Sequence, residues 1–266
     1  MKIWAVANQK GGVGKTTSVV SLGGLLAGLG KKVLMVDLDP HGSLTCYFKL
    51  NPDSIEQSSY PLFLHEGTVP DDLAQKMVCS TSVPGLDLIP ASSALVTLER
   101  RFGVQAGMGL VISKALAQLR GQYDFVFIDT PPQLGVLLVN ALAASELILI
   151  PVQTEFLALK GLERMMHTLQ MIMKSQGHEL KYLVIPTMYD RRTHASVESL
   201  RRLRVQYENN IWPGCIVIDT KFRDASSAGM PLSQMFPSSR GVKAYRSLLK
   251  YLVENLTAIG MKVNHG

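Results

Sequence analysis

The stretch "IWAVANQKGGVGKTTSVVSLGGLLAGLG", residues 3–30, changes character twice. Ile3–Ala7 is an apolar run of strand length, and three glycines follow within four positions at 11, 12 and 14. From about Lys15 to Leu29 the residues read as a helix, closed by Gly30, the residue type that most readily turns left-handed past a helix end. Strand, glycine-rich turn and helix, in that order, are the context a phosphate-binding loop requires. Gly11, Gly12 and Gly14, with Val13 between them, let backbone N–H groups approach phosphate oxygens, and the helix aims its positive end at them. Lys15 is then expected to reach the β- and γ-phosphates, the Thr16 hydroxyl to bind Mg²⁺, and Thr17 to contact the α-phosphate. One charge is surplus to this scheme. Gln9 stands where the common loop has its first glycine, and Lys10 adds a second positive charge inside the turn.

Working outward, the same rhythm repeats. Apolar runs at 32–39, 86–91, 125–132, 147–152, 182–189 and 215–220 alternate with helical stretches near 97–119, 135–145, 158–176, 194–210 and 239–258. Continuous apolar runs suit strands buried on both faces of a parallel sheet. The fold class is therefore α/β, a doubly wound, mostly parallel twisted sheet with helices on both faces. We read residues 1–266 as a single P-loop domain, with 49–82, of mixed polarity and weak periodicity, as a surface excursion within it.

Such sheets bind ligands at the carboxyl ends of their strands, and three carboxylates end strands here. "VLMVDLDPHG" places Asp37 and Asp39 two apart, on one side of an extended chain, and "FVFIDTPP" ends in Asp129. Phosphoryl transfer to water needs one group to hold Mg²⁺ and another to orient the attacking water. Asp129 suits the first task and Asp39 the second. Asp37 could pair with one of the loop's lysines.

The net charge of +6 is unevenly distributed: residues 1–160 carry −1 and residues 161–266 carry +7. The C-terminal surplus includes Arg191, Arg192, Arg223 and Arg240, an electrostatic footprint suited to nucleic acid or an anionic surface. Cys46, Cys79 and Cys215 lie far apart and form no Cys-x-x-Cys pair, which suggests neither a disulfide framework nor a metal–sulfur site. No apolar run is long enough to span a membrane or to serve as a signal-peptide core, so a cytoplasmic location is expected.

"KGGVGKTT", "VDLDPHGS", "FIDTPPQLG", "IPVQTEFLALKGL" and "PTMYDRRT", in this order and spacing, resemble the ParA/MinD family of deviant Walker ATPases, above all its short ParA branch. The resemblance implies ATP as the nucleotide and a dimer that sandwiches two ATP molecules, with Lys10 crossing to the other subunit's phosphates. It implies slow hydrolysis stimulated by a ParB-like or polar adaptor protein. It implies nonspecific DNA binding through the arginines of "YDRRT" and "KFRDASSAG", Arg192 and Arg223 first, Arg191 and Arg240 after them. Met188 and Asp224 fall where the family surrounds the adenine. The tripeptide Asp39-Pro40-His41 resembles ParA-like proteins that position polar chemotaxis arrays; chromosome or plasmid DNA is the other cargo.

Two other branches are less well matched. A MinD-like protein would end in an amphipathic membrane helix, whereas Leu248, Leu249, Leu252 and Leu256 read as a core-facing stripe, and no membrane anchor is expected. Amide-forming relatives such as cobyrinic acid synthases are expected to carry a further amidotransferase domain that 266 residues cannot hold. With the loop starting at residue 8, no preceding helix-turn-helix is expected either.

Overall fold

In the computed structural model, which describes residues 1–98, 107–177 and 179–255, seven strands join one sheet. They are β1 (Lys2–Val6), β2 (Val33–Asp37), β3 (Cys79–Ser80), β4 (Leu86–Ile89), β5 (Phe125–Asp129), β6 (Leu147–Gln153) and β7 (Tyr182–Thr187). Their order is β3-β4-β2-β5-β1-β6-β7, and every pairing is parallel except that of β3 with β4. Apart from Lys2 at the start of β1 and Asp37 and Asp129 at the ends of β2 and β5, these three central strands are apolar because both faces are covered. Ala5, Leu34, Val36, Val126 and Ile128 enter one core, while Trp4, Val6, Met35, Phe125 and Phe127 enter the other. Trp4 packs edge-on against both Phe125 and Phe127, with centroids 5.4 and 5.5 Å away, a favoured aromatic arrangement.

Helix α1 (Lys15–Gly28) covers the tryptophan side. In chain order, α2 (Ser43–Tyr47), α3 (Leu73–Lys76), α4 (Val111–Gln118), α5 (Val136–Ala144), α6 (Phe156–Gln176), α7 (His194–Gln206), α8 (Lys221–Ala228), α9 (Leu232–Met235) and α10 (Arg240–Asn255) follow. A Cβ on Gly24 would lie 2.4 Å from Pro231, so the absence of a side chain lets α1 approach the start of α9. Leu248, Leu249 and Leu252 are buried as the stripe requires, whereas Leu256 lies outside the described residues. Residues 99–106 of the helix expected near 97–119, and 256–258 of the last one, also lie outside them. No helix among the described residues is long and apolar enough to cross a membrane.

Two expectations need correction. The run at 215–220 is not a sheet strand. Trp212 N–H donates to the Val184 carbonyl and Ile216 N–H to the Pro186 carbonyl, but Pro213 and Gly214 interrupt the register between them. The segment therefore covers the edge of β7 through isolated bridges instead of adding a ladder. Residues 49–82 are more than a surface excursion. Leu62, Phe63 and Ala74 are fully buried, and the buried Ser59 hydroxyl donates to the Asp37 carbonyl at 2.9 Å, so this weakly periodic stretch is pinned to the end of β2.

Candidate nucleotide site

The turn between β1 and α1 is built for a ligand above its backbone. Gly12 and Gly14 have φ of +72° and +96°, and a Cβ added at Gly11, Gly12 or Gly14 would meet no atom within 4 Å. Side chains outside the motif hold the turn. Thr187 Oγ1 donates to the Val13 carbonyl at 2.9 Å, and Ser18 Oγ donates to the Gly14 carbonyl at 2.8 Å while sharing a second hydrogen bond with the buried Tyr245 hydroxyl. Asn8 ties the turn to β6 by donating to the Pro151 carbonyl and accepting from Lys10 N–H. None of these four supports was legible in the sequence, because the partners lie far along the chain or in an ordinary helix.

Lys15 is only 8% exposed and lines a 530 Å³ cleft together with Gly12, Thr16, Thr17, Asp39 and His41. Burial lowers its pKa, and the charges of Asp129 and then Asp39 oppose that shift, which marks both carboxylates as neighbours of the ammonium. Thr16 Oγ1 donates to Asp129 Oδ2 at 2.6 Å, and Asp129 Oδ1 is buried with no hydrogen-bond partner. A buried orphan oxygen beside a hydroxyl with free lone pairs is hard-oxygen chemistry that fits Mg²⁺. No group of three or more His, Cys, Asp or Glu capable of holding a metal occurs among the described residues.

The three carboxylates have different surroundings. Asp37 pairs with neither lysine of the loop. It is fully buried and accepts from Thr45 N–H, Thr45 Oγ1 and Asp39 N–H at 2.9, 2.7 and 3.1 Å, so it braces the chain that follows β2. Its pKa, like that of Asp129, is raised chiefly by burial. Asp39 sits at the cleft wall. Its Oδ1 accepts from His41 N–H at 3.0 Å and from His41 Nδ1 at 2.8 Å.

A second cavity of 370 Å³ adjoins the cleft and shares Gly14, Thr17, Met188 and Phe222 with it. Val13 faces this cavity, not the cleft, and Met188 enters it with φ of +52°, a conformation non-glycine residues rarely adopt. Asp224 lines neither cavity. On α8 the residues Phe222, Arg223 and Ser226 turn toward the two cavities, and Asp224 falls on the exposed side of the same helix.

Lys10 lies outside the cleft. Its ammonium forms an ion pair with Glu155, at the start of α6, and donates to Gln153 Oε1 at 3.1 Å. Lys10 instead lines a 970 Å³ groove with Leu134, Leu157, Lys160 and Arg164, which meets the cleft at Pro132. Backbone hydrogen bonds join Tyr189, two residues before Arg191, to Ile216 and Ile218, and Arg240 donates to the Ile218 carbonyl at 3.4 Å. Arg191, Arg192, Arg223 and Arg240 are all exposed. Arg192 is held by a two-pronged hydrogen bond to Asp190, at 2.9 and 2.7 Å, which pulls the Asp190 carboxyl down to about 2. Arg223 also lines the second cavity.

The chain is similar to known proteins in sequence and fold. The family model described as an AAA domain matches residues 1–182. The sporulation initiation inhibitor protein Soj of Bacillus subtilis is 35% identical over 255 residues, which is 96% of this chain and 99% of Soj. The chromosome partitioning protein ParA of Caulobacter vibrioides is 34% identical over 256 residues, 95% of this chain and 94% of that one. The chain belongs to the ParA family of P-loop ATPases. Among solved structures, one of cobyrinic acid a,c-diamide synthase from Mycobacterium smegmatis with bound ADP and magnesium matches this ParA-family chain with a TM-score of 0.79 at 34% identity, over 97% of this chain and 96% of the other. A chain carrying that name is thus of similar length. The expectation that length separates this protein from amide-forming relatives does not hold.

Proposed function

We propose that this protein is an ATP-driven positioning switch. ATP and Mg²⁺ occupy the cleft, two copies close face to face over two nucleotides, and hydrolysis releases them. The observation that carries this reading is the different placement of the two lysines: Lys15 is buried in the cleft beside the glycine-rich turn, while Lys10 is not among that cleft's lining residues. A charge that does not serve its own nucleotide is available to a second copy's, as an arginine finger is. Lys15, Thr16 and the N–H groups of Gly11 to Thr17 hold the phosphates. Mg²⁺ held by Thr16 and Asp129 neutralises phosphate charge. Asp39 orients the attacking water, while Asp37 acts as a brace. The second cavity, with Met188, takes the base. Sedimentation of the protein with and without ATP and Mg²⁺ tests the switch: a monomer that becomes a dimer only with ATP is expected, and a monomer under both conditions overturns it.

The Lys10 to Glu155 ion pair holds the finger in place on its own chain. Glu155→Gln is expected to lower the ATP concentration needed for dimerisation by about twofold to fivefold, the worth of a partly exposed ion pair. A higher ATP requirement in the same sedimentation series would argue against a restraining role.

The basic face around Arg191, Arg192, Arg223 and Arg240 gives the ATP-bound dimer a platform on DNA without base readout. Of these, Arg223→Ala is expected to weaken binding to a random-sequence duplex by about tenfold and to reduce the slope of log Kd against log salt by about one. Arg192→Ala is expected to do less, because Asp190 already takes part of its charge. Anisotropy measurements showing both slopes unchanged would remove DNA from the reading.

A ParB-like or polar adaptor protein stimulates the slow hydrolysis. The cargo is chromosome or plasmid DNA, or, as Asp39-Pro40-His41 favours, a polar chemotaxis array. Tagged protein that follows the replication origin, with deletion disturbing chromosome segregation alone, excludes the array.

A further inference from the structure

The contact between His41 and Asp39 has no counterpart in the scheme above, and the turn that makes it is specified residue by residue. Gly42 N–H donates to the Asp39 carbonyl at 2.8 Å, closing a four-residue turn in which Pro40 occupies the position where proline fixes the backbone in advance. Gly42 has φ of +61°, and a Cβ there would lie 2.7 Å from Pro52, so only glycine fits the turn's last corner. This geometry carries the His41 ring back over the preceding carboxylate. Nδ1 and the His41 N–H both reach Oδ1, at 2.8 and 3.0 Å. An ionised carboxylate only accepts, so the tautomer that completes this contact is the one with its N–H at Nδ1. Asp39 Oδ2 accepts no hydrogen bond from the described residues, and both residues line the cleft that holds Lys15 and Thr16.

We infer that His41 is a positioning residue for ATP hydrolysis, which fixes the Asp39 carboxylate by its Oδ1 and leaves Oδ2 to the attacking water. The inference rests on the assignment of Asp39 to that water. In the step served, the water oxygen forms a bond to the γ-phosphorus, its proton passes to Asp39 Oδ2, and the bond from the γ-phosphorus to the bridging oxygen breaks with its electron pair leaving on ADP. A carboxylate held at one oxygen keeps the other aligned without reorganisation during the reaction. The His41 side chain is 70% exposed, so its removal costs little packing.

The test uses the full chain with ATP and Mg²⁺. His41→Ala is expected to lower kcat about tenfold with KM for ATP unchanged, the size of one charge-assisted hydrogen bond. His41→Asn, whose amide nitrogen replaces Nδ1, is expected to recover kcat to within about twofold of the parent, because it restores the donor to Oδ1. A parental kcat in His41→Ala overturns the inference. So does a rise in KM that accounts for the whole loss, or a His41→Asn variant as slow as His41→Ala. Asp39→Ala, measured alongside, separates the two readings. If it hydrolyses at the parental rate, the Asp39 assignment itself fails; if it is inactive while His41→Ala is unimpaired, only the role of His41 fails.

Discussion

Lys10→Ala is expected to remain monomeric in saturating ATP and Mg²⁺ and to release phosphate on the order of 10³-fold more slowly, while its affinity for ATP changes by less than about threefold. The separation of these effects follows from where the side chain sits. Lys10 does not line the cleft that contains Lys15, so a monomer binding ATP loses no contact when it is removed. Its pairing with the half-exposed Glu155 is a surface ion pair, worth at most about 1 kcal/mol, and the fold should survive its loss. Across an interface the position is different. There the ammonium would lie between two apposed cores with water excluded, opposite phosphate charge that grows toward the transition state, and such a contact is worth far more than in solvent. Equilibrium sedimentation for assembly and a phosphate-release assay for turnover check the two halves separately. A Lys10→Ala protein that dimerises with the parental ATP midpoint would return the surplus lysine to its own loop and remove the reason for expecting the finger in trans.

What could be read in advance was what short-range chemistry imposes. A glycine-rich turn between an apolar run and a helix has few uses, and Lys15, Thr16 and Asp129 meet as expected, with the threonine and aspartate joined at 2.6 Å across 113 residues of sequence. Properties set by distant neighbours were not legible. Asp37 and Asp39 look equivalent two residues apart, yet Thr45 claims one and His41 the other. The run at 215–220 has strand composition, but whether a strand joins a sheet depends on an uninterrupted register, which Pro213 and Gly214 deny it. Helix α8 carries no apolar stripe long enough to declare itself, and its phase decided that Phe222 and Arg223, not Asp224, face the cavities. The anchoring of 49–82 rests on Leu62 and Phe63 within a polar stretch, where burial comes from the end of the sheet above them and not from any period of their own. The ion pair of Lys10 with Glu155 spans 145 residues and carried the most functional weight of all the contacts that had to be seen.

Asp39→Ala is expected to bind ATP and dimerise as the parent does but to hydrolyse about 10²- to 10³-fold more slowly, so that the ATP-bound dimer persists. Removing this carboxylate takes a negative charge away from Lys15 and the phosphates, which leaves nucleotide affinity equal or improved. The fold loses one acceptor, on a residue 9% exposed at the cleft wall, and the freed His41 N–H can turn to water, for a cost near 1 kcal/mol. Asp129→Ala is a contrasting variant, because it removes the partner of Thr16 beside the phosphates. Its defect is expected to show as weakened Mg²⁺ dependence and impaired ATP binding, a pattern Asp39→Ala should not share. Persistence has a consequence beyond the rate. A switch that closes on ATP and opens on hydrolysis is driven to one state when hydrolysis stops, since binding energy alone favours the closed form and nothing removes the ligand. Asp39→Ala should therefore remain dimeric in gel filtration for many parental turnover times after free ATP is diluted away, whereas the parent returns to monomer. A variant that loses ATP binding together with hydrolysis would place Asp39 among the groups that hold the nucleotide and leave the attacking water without an assigned partner.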